Sequence, residues 1–78
     1  MPEAKDQKLI ELLGLNIRKH RIKKGFSQEW LSEQVDTSQV QISRIESGIT
    51  SVSCLTLYKI GKALDVSLDD LFVEVKAS

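Results

Sequence analysis

The 78-residue sequence predicts a compact, all-α domain built from five short helices. Apolar residues recur at spacings of three and four, which is the periodicity of helices that are buried on one face. No strand-type alternation persists over enough residues to compete, and Pro2 is the only proline. Because amphipathic helices joined by tight turns bury their apolar stripes against one another, we expect a core of helix packed on helix.

The first helix is expected over residues 9–24, and Gly25 is expected to end it in a left-handed conformation. Gly14 weakens the middle of this helix by about 1 kcal/mol relative to alanine, so the alternative is a helix that begins near Gly14. In either case residues 1–8 are expected to be a frayed extension. The predicted buried face of this helix consists of Leu9, Leu13, Ile17 and Ile22, with Leu12 and Leu15 beside them.

The second helix is expected to begin at Ser27, a favoured N-cap residue, and to bury Leu31 and Val35. Residues 36–38 interrupt the pattern, and a third helix is expected over residues 39–47. A turn of three residues between two helices of about two turns each forces a large crossing angle, which is the helix-turn-helix arrangement. Ile42 and Ile45 on the third helix would face Leu31 and Val35 and join the two helices into one unit.

A fourth helix is expected from residue 53 or 54 to residue 64, and Ser67 would cap a short fifth helix over residues 68–72. Asp69 and Asp70 suit the first turn of that helix because carboxylates favour the positive end of the helix dipole. The chain is therefore expected to comprise an N-terminal extension over residues 1–8, one domain over residues 9–73 and a C-terminal tail over residues 74–78.

The outward face of the third helix carries Gln39, Val40, Ser43 and Arg44, where a small bundle would ordinarily expose Glu and Lys. Glutamine can form two hydrogen bonds with adenine, arginine can do the same with guanine, and valine can contact the thymine methyl group. The pattern predicts that this helix enters the major groove of DNA. For Val40, a tolerated surface position is an equally good interpretation.

Over residues 15–72 the sequence resembles the phage repressor/Cro-type helix-turn-helix family. The resemblance is carried by three strings: IRKHRIKKGFSQEWLSEQV, SQVQISRIESG and LTLYKIGKALDVSLDDLF. The resemblance implies a five-helix, repressor-like domain that binds double-stranded DNA and regulates transcription, with repression as the expected sense. The sequence departs from the family at the turn, where Asp36 replaces the usual glycine. Aspartate can adopt the left-handed conformation at modest cost, so we expect the turn to survive.

The resemblance also implies roles for individual residues. Base contacts are expected from Gln39, Val40 and Arg44, with Ser38 and Ser43 at the margin. Phosphate contacts are expected from Gln28 at the start of the second helix, and from Gln41, Ser47 and Thr50. Arg21 and Glu46 match a buried ion pair that ties the first helix to the third.

Charge is distributed unevenly along a chain whose net charge is zero. Residues 1–26 carry seven Lys/Arg against three Asp/Glu (net +4), whereas residues 65–78 carry one against four (net −3). A phosphate backbone would meet the basic end, although charge alone favours a solvated basic helix face. One or two of the basic residues near the end of the first helix are expected to contact phosphate: Arg18, Lys19, Lys23 and Lys24, with Lys24 as the chosen candidate.

The residue inventory argues against an enzyme. Cys54 is the only cysteine and His20 the only histidine, which excludes an internal disulfide and a set of zinc ligands built from these residue types. The sequence also has no catalytic Cys/His pair, no phosphate-binding glycine loop and no carboxylate pair with a nearby base. We expect no cofactor and no bound metal. No apolar run approaches the roughly 20 residues of a membrane span. We expect a cytoplasmic, nucleoid-associated location in a prokaryote or phage-infected cell.

One such domain makes few base contacts, so we expect a homodimer on a palindromic operator with half-sites about 34–36 Å apart. The resemblance places the dimer interface at the fifth helix and the end of the fourth, with these apolar candidates: Leu68, Leu71, Phe72, Val73 and Val75. The alternative is an antitoxin or antagonist module that works through a protein partner, which the zero net charge slightly favours. Trp30 could contact DNA or a partner, but cover for the edge of the core is the favoured interpretation.

Overall fold

The computed structural model describes the backbone of residues 4–73 and the side chains of residues 6–73. Within that part of the chain there are four α-helices, one 3₁₀ helix and no strand, which confirms the predicted all-α class. The helices are α1 (Ala4–Lys23), α2 (Gln28–Gln34), α3 (Gln39–Glu46), α4 (Cys54–Leu64) and a 3₁₀ helix (Asp69–Phe72). None of the described helices is long and apolar enough to cross a membrane.

The expected fifth α-helix is a single 3₁₀ turn. Its backbone closes through a bond from the Leu71 N–H to the Leu68 carbonyl oxygen, at 3.0 Å, which spans three residues rather than four. Val73 then adopts an extended conformation with ψ of 129°. The predicted count of five α-helices is therefore slightly wrong, because the apolar segment is too short for a second turn before the chain extends.

Helix α1 begins at Ala4, so the expected start at residue 9 is wrong by five residues. The added turns pack beside the end of α3, where the Gln7 Nε2 donates a hydrogen bond to the Gly48 carbonyl oxygen at 2.9 Å. The alternative start near Gly14 is also wrong, because α1 continues through this residue. A Cβ atom at this position would overlap the Ile45 carbonyl oxygen, so glycine is what lets α1 approach α3 so closely.

The buried face of α1 is narrower than predicted. Leu13 and Ile17 are buried, but Leu9, Leu15 and Ile22 are about half exposed. Asn16 lies on the buried face instead, and its Nδ2 is within 3.1 Å of the carbonyl oxygens of Leu12, Leu71 and Val73. The 3₁₀ helix therefore covers one side of α1 through hydrogen bonds, which a purely apolar pattern could not predict.

One apolar core joins all the helices. Among the described residues, its nine buried members are Leu13, Ile17, Leu31, Val35, Ile42, Ile45, Ile60, Leu64 and Leu71. The predicted inward residues of α2 and α3 are among them, which confirms that these two helices pack as one unit. Every buried side-chain nitrogen and oxygen among the described residues has a hydrogen-bond partner.

Two aspartates end helices in the left-handed conformation that glycine usually provides. Asp36 has φ of 57° after α2, and Asp65 has φ of 55° after α4. Behind Asp36 the Thr37 N–H bonds back to the Ser32 carbonyl oxygen at 2.9 Å, which satisfies a helix-end carbonyl. The expectation that Asp36 sustains the turn is confirmed, and the geometry between α2 and α3 follows from it.

Candidate nucleic-acid interface

Serine caps fix where α2 and α3 begin. The Ser27 Oγ accepts a hydrogen bond from the Trp30 N–H at 2.9 Å, and the Ser38 Oγ accepts one from the Gln41 N–H at 3.1 Å. Each cap satisfies an amide that has no partner within the helix, which favours starting the helix at that residue. With the start of α3 fixed and Ile42 and Ile45 buried beneath it, the outward direction of its other side chains is determined.

The outer face of α3 presents the side chains that were predicted to contact bases. Gln39 and Arg44 are exposed, Val40 is 61% exposed, and Ser43 is half-buried beside them. Ser38 is also exposed, but its oxygen already serves as the cap of α3. These side chains can offer paired hydrogen bonds and an apolar contact to a groove floor, which is the chemistry that base recognition needs.

The Arg21–Glu46 ion pair is present and buried. Nε of Arg21 lies 2.7 Å from Oε2 of Glu46, and its Nη2 lies 3.0 Å from Oε1. The two side chains are 10% and 1% exposed, respectively. Nη1 of Arg21 also donates to the Phe26 carbonyl oxygen at 2.7 Å. One guanidinium therefore connects α1 to the end of α3 and to the segment before α2.

Gln28 joins this pair. Its Nε2 donates a hydrogen bond to Oε1 of Glu46 at 3.1 Å. Because an ionised carboxylate can only accept hydrogen bonds, the amide nitrogen rather than the amide oxygen must face Glu46. The amide nitrogen has a second hydrogen, which is left for another acceptor such as a phosphate oxygen.

The five residues expected to contact phosphate are not all brought together. Gln28 and Ser47 line one polar cavity with Arg18, Arg21 and Glu46. Lys24, Gln41 and Thr50 lie outside the lining of that cavity. Lys24 is exposed, whereas Gln41 and Thr50 are half-buried.

Trp30 covers the edge of the core. Its ring stacks on Phe26 with 3.9 Å between the ring centroids and 23° between the ring planes. Both rings are half-buried and pack against the core cluster. The favoured interpretation of Trp30 as core cover is confirmed, and its stacking energy adds to the apolar area it buries.

The expected dimer surface needs one correction. Leu71 is fully buried at 0% exposure and belongs to the core, because the 3₁₀ turn directs it against α1, so it cannot contact a partner. Leu68, Phe72 and Val73 are exposed as expected, whereas Val75 lies outside the described residues. Beside Leu68 an open groove of about 410 Å³ runs along α4 and the turn that follows it. The exposed Tyr58 lines this groove.

Two positioning residues were missed by reasoning from the sequence, Gln7 and Asn16. Gln7 holds the carbonyl of Gly48, directly after α3, and Asn16 holds the 3₁₀ helix. Asn16 did leave a signal, since it is an amide between Leu13 and Ile17 on a helix whose neighbouring positions are apolar. Gln7 left none, because residues 1–8 gave no reason to expect an ordered helix there.

Comparison with curated proteins identifies relatives with regulatory names. Residues 17–71 match the profile of the family described as Helix-turn-helix (HTH_3). An uncharacterized HTH-type transcriptional regulator of Rickettsia conorii is 33% identical over 66 residues, which cover 85% of this chain and 53% of that protein. The control protein C.MunI of a Mycoplasma species is 34% identical over 64 residues, covering 81% of this chain and 86% of that protein. The chain thus spans about half the length of the two Rickettsia relatives it matches.

Solved structures show the same fold. The restriction-modification controller protein C.AhdI of Aeromonas hydrophila superposes with a TM-score of 0.77 at 30% identity, over 81% of this chain and 96% of that one. The clp gene regulator ClgR of Corynebacterium glutamicum superposes with a TM-score of 0.79 at 33% identity, over 81% of this chain and 67% of that one. These names agree with the prediction of a regulator rather than an enzyme. The chain belongs to the Cro/C1-type helix-turn-helix family of transcriptional regulators.

Proposed function

We propose that this chain binds double-stranded DNA sequence-specifically and acts as a homodimer on a palindromic operator, with repression as its expected effect. The observation that carries the proposal is the outer face of α3. Gln39, Val40 and Arg44 stand exposed on a helix whose start, buried face and end are each fixed by separate contacts. A rigid helix with side chains of this kind suits the major groove, because base contacts require precise placement.

The homodimer is supported by the distribution of exposed apolar side chains. Leu68, Phe72 and Val73 are exposed at the 3₁₀ helix, and Leu55 and Tyr58 are exposed on α4. Tyr58 and Leu68 line the same groove, and an exposed apolar patch on a small domain commonly marks a protein interface. An isologous pairing through this surface would give the two recognition helices two-fold symmetry, which is the symmetry of a palindromic site.

Two similar proteins that this chain covers over most of their length favour control of a restriction-modification system as the biological setting. C.MunI is covered to 86% and C.AhdI to 96%, and both are named as control proteins. We therefore favour a restriction-modification controller as the kind of regulator that this chain resembles in function. Such a regulator would act in the cytoplasm, on operators in the DNA of the nucleoid.

The experiment that tests DNA binding is selection of bound duplexes from a random-sequence pool, followed by salt titration on the enriched duplex. We expect a palindromic consensus, and an association constant that falls with salt with a logarithmic slope of about −0.9 for each phosphate contact. Sedimentation of the complex should give two protomers per duplex. If no duplex is enriched even at low salt, the proposal is wrong and the alternative of a module that acts through a protein partner is favoured.

A further inference from the structure

The first turns of α1 lie outside the part of the chain that matches the family. Residues 4–16 of this helix precede residues 17–71, which match the family profile. Within the first turns, Gln7, Glu11 and Gly14 follow one another at spacings of four and three, which places them on one face of the helix. This face therefore makes its contacts through residues that the family profile does not specify.

All three residues contact the end of α3. Nε2 of Gln7 donates a hydrogen bond to the Gly48 carbonyl oxygen at 2.9 Å. Glu11 packs so closely on Gly48 that a Cβ atom there would lie 2.8 Å from its Cγ. A Cβ atom on Gly14 would overlap the Ile45 carbonyl oxygen. The hydrogen bond of Gln7 is therefore made across a tightly packed contact between two helices.

The side-chain amide of Gln7 faces two acceptors. Its Nε2 lies 2.9 Å from the Gly48 carbonyl oxygen and 3.4 Å from Oε1 of Glu11. Because a carbonyl and an ionised carboxylate can only accept hydrogen bonds, the nitrogen of the amide rather than its oxygen must point toward them. Gln7 acts here as a donor, a role that a carboxylate of the same length cannot fill.

The bond from Gln7 holds a peptide unit that is also tied to α3. The Gly48 carbonyl and the Ile49 N–H belong to one planar peptide unit. The Ile49 N–H donates to the Arg44 carbonyl oxygen at 3.0 Å, and the Gly48 N–H donates to that of Ile45 at 3.1 Å. These two bonds end α3, with Gly48 in the left-handed conformation at φ of 73°. Gln7 thus fixes, from α1, the peptide unit that is bonded to the backbone of Arg44.

The two ends of α3 are held by different contacts. Gln39 is the first residue of this helix, where the Ser38 cap fixes the backbone, and Arg44 lies in its last turn. The side chains of Gln39 and Arg44 are both exposed. Because the last carbonyl groups of a helix have no partner within it, their position depends on the contacts that follow. A change at Gln7 should therefore reach Arg44 and spare Gln39.

We propose that Gln7 is a positioning residue for base recognition, which holds the peptide unit between Gly48 and Ile49 and thereby places the side chain of Arg44 against DNA. The inference rests on the proposed function, because it assigns a role within the DNA complex. Gln7 acts through the backbone at the end of α3 and needs no contact of its own with DNA.

The test is to repeat the selection of duplexes with Gln7→Ala, next to Arg44→Ala and Gln39→Ala. Alanine favours a helix at least as well as glutamine, so α1 should remain helical. Gln7→Ala should relax the preference at the half-site position that Arg44→Ala relaxes, by roughly two- to tenfold in relative affinity, which is the effect of one neutral hydrogen bond. The position that depends on Gln39 should keep its wild-type preference.

Two further variants control for shape and for the loss of an amide. Gln7→Glu keeps the length of the side chain and removes the donor, so it should relax the same position by at least as much. Gln34→Ala, at an exposed glutamine at the end of α2, should keep the wild-type consensus. If Gln7 only stabilised the fold, its loss would weaken binding to every duplex by one factor and leave the consensus unchanged. That result would overturn the proposal, as would an equal relaxation at the Gln39 position.

Amide hydrogen exchange without DNA separates a failure of this inference from a failure of the proposed function. In Gln7→Ala, the Ile49 amide should exchange roughly two- to tenfold faster, because the end of α3 opens more often. The Val35 amide, bonded to the Leu31 carbonyl oxygen at 3.1 Å, should keep its wild-type rate. An unchanged Ile49 rate, in a chain whose wild-type form enriches a duplex, would refute the inference alone. If the wild-type protein enriches no duplex, the proposed function fails and the inference fails with it.

Discussion

The face around the start of α2 and the end of α3 differs in chemistry from the face formed by α4 and the 3₁₀ helix. The first is polar and internally hydrogen-bonded, with Glu46 at its centre accepting bonds from Arg21 and Gln28. The second exposes apolar side chains, among them Tyr58 and Phe72. Under the proposed function, this difference would give one small fold two tasks, contact with charged and polar DNA on one face and contact with a second protomer on the other.

Helix α1 is the element that connects the two faces. Its Gly14 allows close approach to Ile45 on α3, and its Arg21 binds Glu46. On its other side, Asn16 binds the carbonyl oxygens of Leu71 and Val73. If the two faces do carry these two tasks, a substitution on one face should alter either the DNA sequence preference or dimer formation and leave the other unchanged.

The largest effect is expected from Glu46→Ala. This change leaves the guanidinium of Arg21 buried without its carboxylate, and such losses cost about 3–5 kcal/mol in the free energy of unfolding. Urea denaturation of the variant measures this cost. The double substitution Arg21→Met with Glu46→Leu is the control and should lose much less stability, because no charge is left buried. A loss below about 1 kcal/mol for Glu46→Ala would show that the pair is not the main link between α1 and α3.

The apolar face is tested by Phe72→Asp, a change at an exposed position that should leave the monomer folded. If this face forms the dimer, a carboxylate there should shift the sedimenting species to monomer. Because linking two half-site contacts raises affinity by about 10²–10⁴-fold, binding to the palindromic duplex should fall by on the order of 10². The consensus preferred by the variant should not change. A variant that remains dimeric would place the interface elsewhere.

The packing of α1 against α3 is tested by Gly14→Ala. Alanine favours a helix interior over glycine by about 1 kcal/mol, but its Cβ would overlap the Ile45 carbonyl oxygen. Overpacking of this kind costs about 1–3 kcal/mol, so we expect a net loss of thermal stability.

Gly61→Ala is the matched control for Gly14→Ala, because Gly61 also lies inside a helix. Its Cβ would meet the Val66 carbonyl oxygen at 3.2 Å, a distance that a small shift can relieve. Its stability should therefore change less than that of Gly14→Ala. The same melting temperature for both glycine variants would contradict the close approach of α1 to α3.

The smallest effect is expected at the start of the 3₁₀ helix. Hydrogen bonding to the side chain of Ser67, and then to its backbone N–H at 3.2 Å, lowers the pKa of Asp70 below its usual value. A carboxyl whose pKa is lowered by folding adds stability above its unfolded-state pKa of about 3.9, and this stability is lost as the pH falls through the lower folded-state pKa. Wild-type protein and Asp70→Asn should therefore differ in melting temperature at pH 5 and converge toward pH 2.5. A difference that does not shrink would rule out the carboxylate as its source.

The parts of the fold that follow from local chemistry were predictable. The caps at Ser27 and Ser38 and the left-handed Asp36 depend on one or a few neighbouring residues, so the sequence contains all the information that determines them. The ion pair between Arg21 and Glu46 joins distant elements, and resemblance to the family rather than spacing made it foreseeable.

The parts that escaped prediction depend on tertiary contacts. The five extra residues at the start of α1 and the fit of Gly14 against Ile45 exist because α3 lies alongside. The burial of Leu71 likewise depends on the direction of a single 3₁₀ turn, and helical periodicity cannot give that direction. At the candidate site, the types of side chain on α3 were predictable, whereas the grouping of Arg18 with Gln28 around one cavity was not.

The central claim is that the outer face of α3 selects DNA sequence. Its most direct test is to repeat the selection of duplexes with Gln39→Ala and Arg44→Ala, with Gln34→Ala, an exposed glutamine at the end of α2, as the control. Each α3 variant should relax the preference at one or two positions of each half-site, by about 1–3 kcal/mol of discrimination, while the control keeps the wild-type consensus. An unchanged consensus with unchanged relative affinities in both α3 variants would contradict the claim.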